Sequence, residues 1–368
     1  MIKDVGRLMQ GAGTDLLWVI GNSSSCAEIH YLTGGVPLTY AWIILRPGEE
    51  NPLLCHGPME REAAAQSGCR TLDFGSLGAD KLSQLHNDPL EVRLGLFERL
   101  AKQEDLSGHM AVHGQMDPGQ AHLLLRRIEE RLPGIEVIRD TPPVLEMARL
   151  TKDSEEISRM KEIARLSLEA YEAGLDVIRS GHLDGERLVD DHGETITIGR
   201  VKEAIRLALA RRGLQETHET ILSIGREAGI PHALSAPGTP LSAGRTIVLD
   251  LFPQEKGGGY FFDFTRTFFI GHAPDEALKL YHEVCQTQQK AIETIRAGLE
   301  GWRLQELVCE HFEALGHPTL RTRPGTTEGY VHSLGHGVGL EVHEHPYLKL
   351  QDIPDERSRL QPGTVFTV

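Results

Sequence analysis

Long apolar runs are missing from this sequence. The longest, such as Leu16–Ile20 and Ala41–Leu45, fall far short of the roughly 20 residues that cross a bilayer, so neither a membrane span nor an anchor is expected. No apolar segment of the kind that marks a secretory signal stands behind Met1–Gly11, and a cytoplasmic location is the default expectation. Cysteine is scarce and scattered: Cys26, Cys55, Cys69, Cys285 and Cys309 are odd in number and contain no C-x-x-C pair. That spacing argues against both a disulfide framework and a thiolate zinc site. An excess of positive charge is missing too. A formal net charge of −15 is wrong for a protein that grips phosphate backbones, so nucleic acid is not an expected partner. The serine run Ser23-Ser24-Ser25 lacks the G-x-S-x-G elbow of a serine hydrolase.

What is present reads as a folded chain of two domains. Its 368 residues exceed what one core usually supports, and 40% hydrophobic with 25% charged residues is ordinary for a globular protein. In the first part, Leu16–Ile20, Ala41–Leu45, Met110–Val112 and Ile135–Ile138 read as strands. Glu60–Ala65 and Gln120–Leu132 read as helices, giving an α/β domain. Thr141-Pro142-Pro143 punctuates the chain, and we place a domain boundary near residue 145. Soon after it Asp153 is set to cap a helix, with Glu156 at the capping-box position. Apolar residues from Ile157 to Ile178 follow helical spacing, and Gly181 stops them. Further helices are expected over Val201–Arg212, Asp275–Ala297 and Leu304–Leu315, with strands grouped between them, so the second domain reads as α+β.

Two clusters carry chemistry. Thr246–Pro253 is a nearly continuous apolar run with Asp250 in its middle. After the glycine turn at Gly257–Gly259 comes a second aromatic run, Tyr260–Ile270, with Asp263 inside it. A turn centred between Lys256 and Gly257 would make Asp250 and Asp263 direct cross-strand neighbours, with Cβ atoms about 4.5–5.5 Å apart. Two carboxylates so close in an apolar setting need a cation between them. The plain alternative pairs Asp263 with Arg266, whose opposite strand parity aims it at the other face. The second cluster is histidine: His332, His336, His343 and His345 fall within Val331–Pro346. Glycines bracket His336 and leave its backbone free for a close approach, and imidazole is the commonest metal ligand. Leu340–Glu344 alternates and reads as a strand carrying His343. That strand weakens a nucleotide-loop reading of Gly335-x-Gly337-x-Gly339, which needs a helix to follow. His232, after Pro231 in a strand–loop segment, is either a substrate group or a solvated loop residue.

Taken together, Gly225–His232, Val248–Asp250, Tyr260-x-x-Asp263-x-Thr-Arg-Thr267 and Gly335–Glu344 resemble the pita-bread metallopeptidases, the family of methionine aminopeptidase, prolidase and aminopeptidase P. The resemblance runs from about residue 150 to the end and includes Ala148–Ile157 as the opening helix. It implies a prolidase- or creatinase-like α/β N-terminal domain over 1–145 and a pita-bread α+β catalytic domain over 146–368. It also implies Asp250, Asp263 and His336 as metal ligands, and His232 and His343 as catalytic, substrate-binding groups. The cofactor would be two divalent ions (Mn, Co or Zn), the reaction hydrolysis of an N-terminal Xaa-Pro bond in a peptide, and the assembly a homodimer. The alternatives within the family are a hydrolase of a small amide or amidine, creatinase-like or ectoine-hydrolase-like, and a non-catalytic binding module. Retention of Asp250, Asp263 and His336 counts against a creatinase proper and against the binding module, though not against other small-molecule hydrolases.

This sequence departs from the family pattern in two places. Two further glutamates are implied, one directly after a strand like Gly363–Val368 and one beyond it, whereas the sequence stops at Val368. The expectation is therefore a fragment of a longer protein, which as it stands binds metal weakly and cleaves peptides poorly. Tyr347 also stands where some prolidases carry an arginine that binds the dipeptide carboxylate, which argues against strict dipeptide cleavage.

Overall fold

The computed structural model describes residues 2–350 and 355–368. The chain forms two compact units, one of Met1–Arg149 with Gly257–Gly259 and the other of Leu150–Lys256 with Tyr260–Val368. No helix among the described residues is long and apolar enough to cross a membrane.

The first unit is built on a six-stranded mixed sheet. Its strands are β1 (Leu16–Gly21), β2 (Ala41–Leu45), β3 (Leu53–His56), β4 (Arg70–Asp73), β5 (Gly108–Gly114) and β6 (Ile135–Ile138), in the order β4-β3-β2-β1-β5-β6. Strands β1 and β2 are buried along their whole length, which is why they read as continuous apolar runs. Trp18, Trp42 and Phe97 lock the core, with Trp18 lying 5.2 Å from Trp42 and 4.3 Å from Phe97 between ring centroids. Helices Pro89–Glu104 and Pro118–Arg131 each begin on an aspartate cap, Asp88 and Asp117, followed by proline in the first turn.

The second unit opens with the helix Ser154–Arg179. Asp153 accepts from the backbone N–H groups of Glu155 and Glu156, and Glu156 returns the bond to Asp153 N at 2.9 Å, closing the expected capping box. The helix Ile198–Arg211 packs against it, and Asp275–Thr294 and Gly301–Ala314 pair with each other further along. Strands here are short and split among small sheets: β7 (His182–Asp184) with β8 (Arg187–Val189), β9 (Leu214–Gln215) with β12 (Gln254–Glu255), and β14 (Gly335–Gly337) with β15 (Glu344–Leu348). The sheet that positions the candidate site is three-stranded, β10 (Ile221–Ile224), β11 (Ile247–Leu251) and β13 (Phe264–Phe268), in that order and antiparallel throughout.

Two expectations are corrected. Asp250 pairs with Thr265, not Asp263. The three glycines Gly257, Gly258 and Gly259 all take positive φ and absorb the turn, and Gln254 bridges Phe261 in the same register. The turn therefore centres one residue later than assumed, between Gly257 and Gly258. A one-residue move of the centre slides the register by two, so the two carboxylates stay on one face but become diagonal neighbours, about 7–8 Å apart. His343 is the second correction: Leu340–His343 is a series of bends, and β15 begins only at Glu344. The physical reason is Glu344, whose buried carboxylate packs against Gly339 and forms an ion pair with Lys152, drawing the chain inward before it can extend.

Candidate metal centre

Asp250 lies mid-strand in β11 between Ile221 of β10 and Thr265 of β13. Thr265 donates its hydroxyl proton to Asp250 Oδ1 at 2.7 Å. Burial pushes the Asp250 carboxyl above its ordinary range, the Thr265 bond works against that, and the neighbouring Asp263 charge pushes it up again. The charges of His232 and His336 pull it down, but burial prevails.

His336 sits at the centre of β14, and its flanking glycines answer a steric demand. A β-carbon on Gly335 would stand 2.1 Å from the Thr367 carbonyl oxygen, and one on Gly337 would stand 2.2 Å from that of His345. Only glycine lets the two neighbouring segments close on the histidine backbone. His336 Nε2 faces Asp263 Oδ2 at 3.3 Å, and its Nδ1 lies 3.1 Å from the Gly337 carbonyl oxygen. A carbonyl only accepts, so Nδ1 carries the proton. In the neutral ring Nε2 then presents a lone pair to the carboxylate. Lone pair and carboxylate repel unless a proton or a metal cation lies between them. Burial alone would push the His336 imidazolium down, yet the bond to Asp263, the Gly337 carbonyl and the charges of Asp263 and Asp250 outweigh it and raise the pKa. Nε2 and the Asp263 carboxylate thus converge where a shared proton or a cation can join them.

His343 stands edge-on to His336, with 4.2 Å between ring centroids. Partial burial and then the facing His336 hold its pKa below the ordinary value. His232 lies on the loop after β10 with a left-handed backbone, φ 60°. All five of these residues line one cavity of about 1370 Å³, walled by Phe252, Phe262 and Phe366 among others. The structure thus brings Asp250, Asp263, His336, His343 and His232 to one place. Of the other two clustered histidines, His332 borders the cavity and His345 packs on Tyr347 at 4.6 Å between ring centroids. Tyr347 is opposite His336 in the β14–β15 pair and donates its hydroxyl to the His343 carbonyl at 3.3 Å.

Among the described residues no three His, Cys, Asp or Glu side chains are already gathered as a metal cluster. Asp263 and His336 converge, while the two-residue register shift keeps Asp250 at the diagonal. Sequence reasoning passed over Thr265, although its place two residues after Asp263 puts it on the same face. It also passed over the buried Lys152–Glu344 ion pair, which joins residues far apart in the chain and left no local signal.

Comparison with known proteins places this geometry. Residues 158–368, more than half of the chain, match metallopeptidase family M24. An uncharacterized peptidase of Bacillus subtilis is 27% identical over 225 residues, which are 61% of this chain and 55% of that relative, so the match spans little over half of its length. A Xaa-Pro dipeptidase of Lactobacillus helveticus is 25% identical over 340 residues, covering 92% of this chain and 81% of its own. Among solved structures, an X-Pro aminopeptidase from Thermotoga maritima superimposes with a TM-score of 0.73 at 21% identity, covering 98% of this chain and 88% of that one. The chain has the pita-bread fold and belongs to metallopeptidase family M24.

Proposed function

We propose that this chain is a metal-dependent peptidase that cleaves the N-terminal Xaa-Pro bond of peptides, with Asp250, Asp263 and His336 as metal ligands and His232 and His343 as the groups that meet substrate. One observation carries the reading: His336 Nε2 and the Asp263 carboxylate face each other at 3.3 Å in a cavity shared with the other three residues. The preference for proline is suggested by the names of the Lactobacillus and Thermotoga relatives.

The donors fit the group. Two carboxylates and one imidazole cancel the charge of one divalent ion and suit manganese, cobalt or zinc without choosing among them. Two ions, as the resemblance implies, would need carboxylates beyond these three residues, so turnover through these residues alone is expected to be slow. When bound, such a metal supplies Lewis acidity and a water acidic enough to attack a carbonyl at neutral pH. The residues of the chain do the rest. His343, held neutral by its lowered pKa, keeps one N–H to offer the carbonyl oxygen as negative charge builds there, and His232 approaches from the loop side. Phe252, Phe262 and Phe366 give the cavity an apolar wall against which a proline ring can rest.

The test is a peptide panel on chelator-stripped protein reloaded with each metal. Ala-Pro-x peptides should be cleaved only with metal, Ala-Ala-x peptides should not, and Asp263→Asn should abolish the difference. Equal cleavage of both series would leave a general aminopeptidase. Cleavage of small non-peptide amides alone would move the reading to the creatinase-like branch.

A further inference from the structure

Only two non-glycine residues among those described have a positive φ, Asp105 at 52° and His232 at 60°. A residue with a β-carbon is held left-handed only where its surroundings insist on it. Beneath the His232 loop lie two buried serines that insist. Ser223, on β10 and 1% exposed, donates from Oγ to the Ala233 carbonyl at 2.5 Å, directly after His232. Ser235, 3% exposed, accepts from Ile224 N at 3.2 Å and donates to the carboxylate of Glu227. The Glu227 carbonyl accepts from Ile230 N at 3.0 Å, and the Ile230 carbonyl accepts from Ala233 N at 3.1 Å. Together these bonds tie the end of β10 to Ala233 and Ser235 after His232, tie Ser235 to the Glu227 side chain, and close the turn through Ile230 that precedes His232.

Packing alone does not call for this arrangement. Buried hydroxyls are costly unless satisfied, and these two are satisfied by the Ala233 carbonyl, the Ile224 N–H and the Glu227 carboxylate, groups that an apolar side chain of similar size would leave without that partner. What the hydroxyls add is direction, because they fix the carbonyl that follows His232 and the turn that precedes it.

We propose that Ser223, Ser235 and Glu227 are positioning residues that act on the reaction through His232, holding its backbone left-handed so that its imidazole enters the cavity of Asp250, Asp263 and His336. The kinetic part rests on the peptidase reading; the structural part does not. An error of about 1 Å in the placement of a reacting group can cost about 100-fold. Ser223→Ala and Ser235→Ala are therefore expected to lower kcat/KM on an Ala-Pro-x peptide by roughly 10- to 100-fold, chiefly through kcat.

The experiment has two arms on the full chain. In the first, histidines carry carbon-13 at Cε1 and the His232 resonance is assigned by its loss in His232→Gln. Ser223→Ala and Ser235→Ala should move or broaden that resonance and leave in place the one from His113, which lies on β5 of the first unit and bonds to Asp140. An unmoved His232 resonance overturns the proposal whatever the enzyme does. In the second arm each serine substitution is repeated in the His232→Ala background, where it should now cost less than about twofold, because residues that act through one another are not additive. An equal loss in both backgrounds would mean the serines merely support the fold, and the proposal falls. If a serine variant does not fold, Glu227→Gln keeps an acceptor for Ser235 and should preserve both resonance and rate, whereas Glu227→Ala should not. Wild-type protein that cleaves no Xaa-Pro peptide defeats the functional reading, while the resonances still decide the positioning.

Discussion

Thr265 donates its hydroxyl to Asp250 across the β11–β13 pair, with 2.7 Å between Oγ1 and Oδ1. The bond favours the charged carboxylate in a place where burial disfavours it, so Thr265 supports Asp250 in the ligand role proposed for it. Thr265→Val keeps the shape and removes the donor. Affinity for a divalent ion should fall by about 10- to 100-fold, the range for lost supporting residues, with the fold intact. Calorimetric titration of wild type and variant with manganese checks this, and equal affinities would remove Thr265 from the site.

The Lys152–Glu344 pair is buried on both sides, with 2% of the lysine side chain and 7% of the glutamate side chain exposed. Among the described residues Glu344 Oε2 has no hydrogen-bond partner, and Lys152 is the cation that pairs with this charge. Lys152→Met should destabilise the second unit by about 3–5 kcal/mol, because it strands a buried carboxylate. The double replacement Lys152→Met with Glu344→Leu should recover most of that loss. Urea unfolding of the three proteins measures both, and a mild single variant would show that water reaches the pair.

Asp140 gives a pH dependence of known sign. Burial would raise its pKa, but the hydrogen bond from His113 Nε2 at 2.9 Å and that from Val144 N at 2.6 Å outweigh it and hold the carboxyl below its ordinary value. A depressed carboxyl contributes stability above the unfolded-state pKa of about 3.9 and loses it as pH falls through the lower folded value. Asp140→Asn should therefore cost about 1.5–3 kcal/mol at pH 7, as for hydrogen bonds to a charged group. The gap should close as the pH drops below about 4. A gap that stays constant down to pH 2 would contradict this assignment.

Much of the fold was legible because periodicity is local. Ala41–Leu45 and Ile135–Ile138 fall where their apolar runs end, and Asp153 with Glu156 marks a helix start by spacing alone. The site residues were legible for a different reason, since a lone carboxylate in an apolar strand and glycines around a histidine are chemically conspicuous. Register was not legible. Whether Asp250 meets Asp263 or Thr265 depends on where three successive glycines place the turn, and glycine tolerates either choice. His343 left its expected strand because Glu344 answers Lys152, a residue 192 positions away. Ser223 and Ser235 were equally hidden, since a serine's use as a brace shows only once the loop above it is folded.

Asp263 and His336, 3.3 Å apart, are the pair on which the proposed metal centre depends. The most direct test is calorimetric titration of chelator-stripped protein with a divalent ion, comparing wild type with Asp263→Asn and His336→Ala. Binding should be present in wild type and weakened by more than about 100-fold in each variant, beyond the range for supporting residues. Binding of equal strength in all three proteins would place the metal elsewhere and contradict the account.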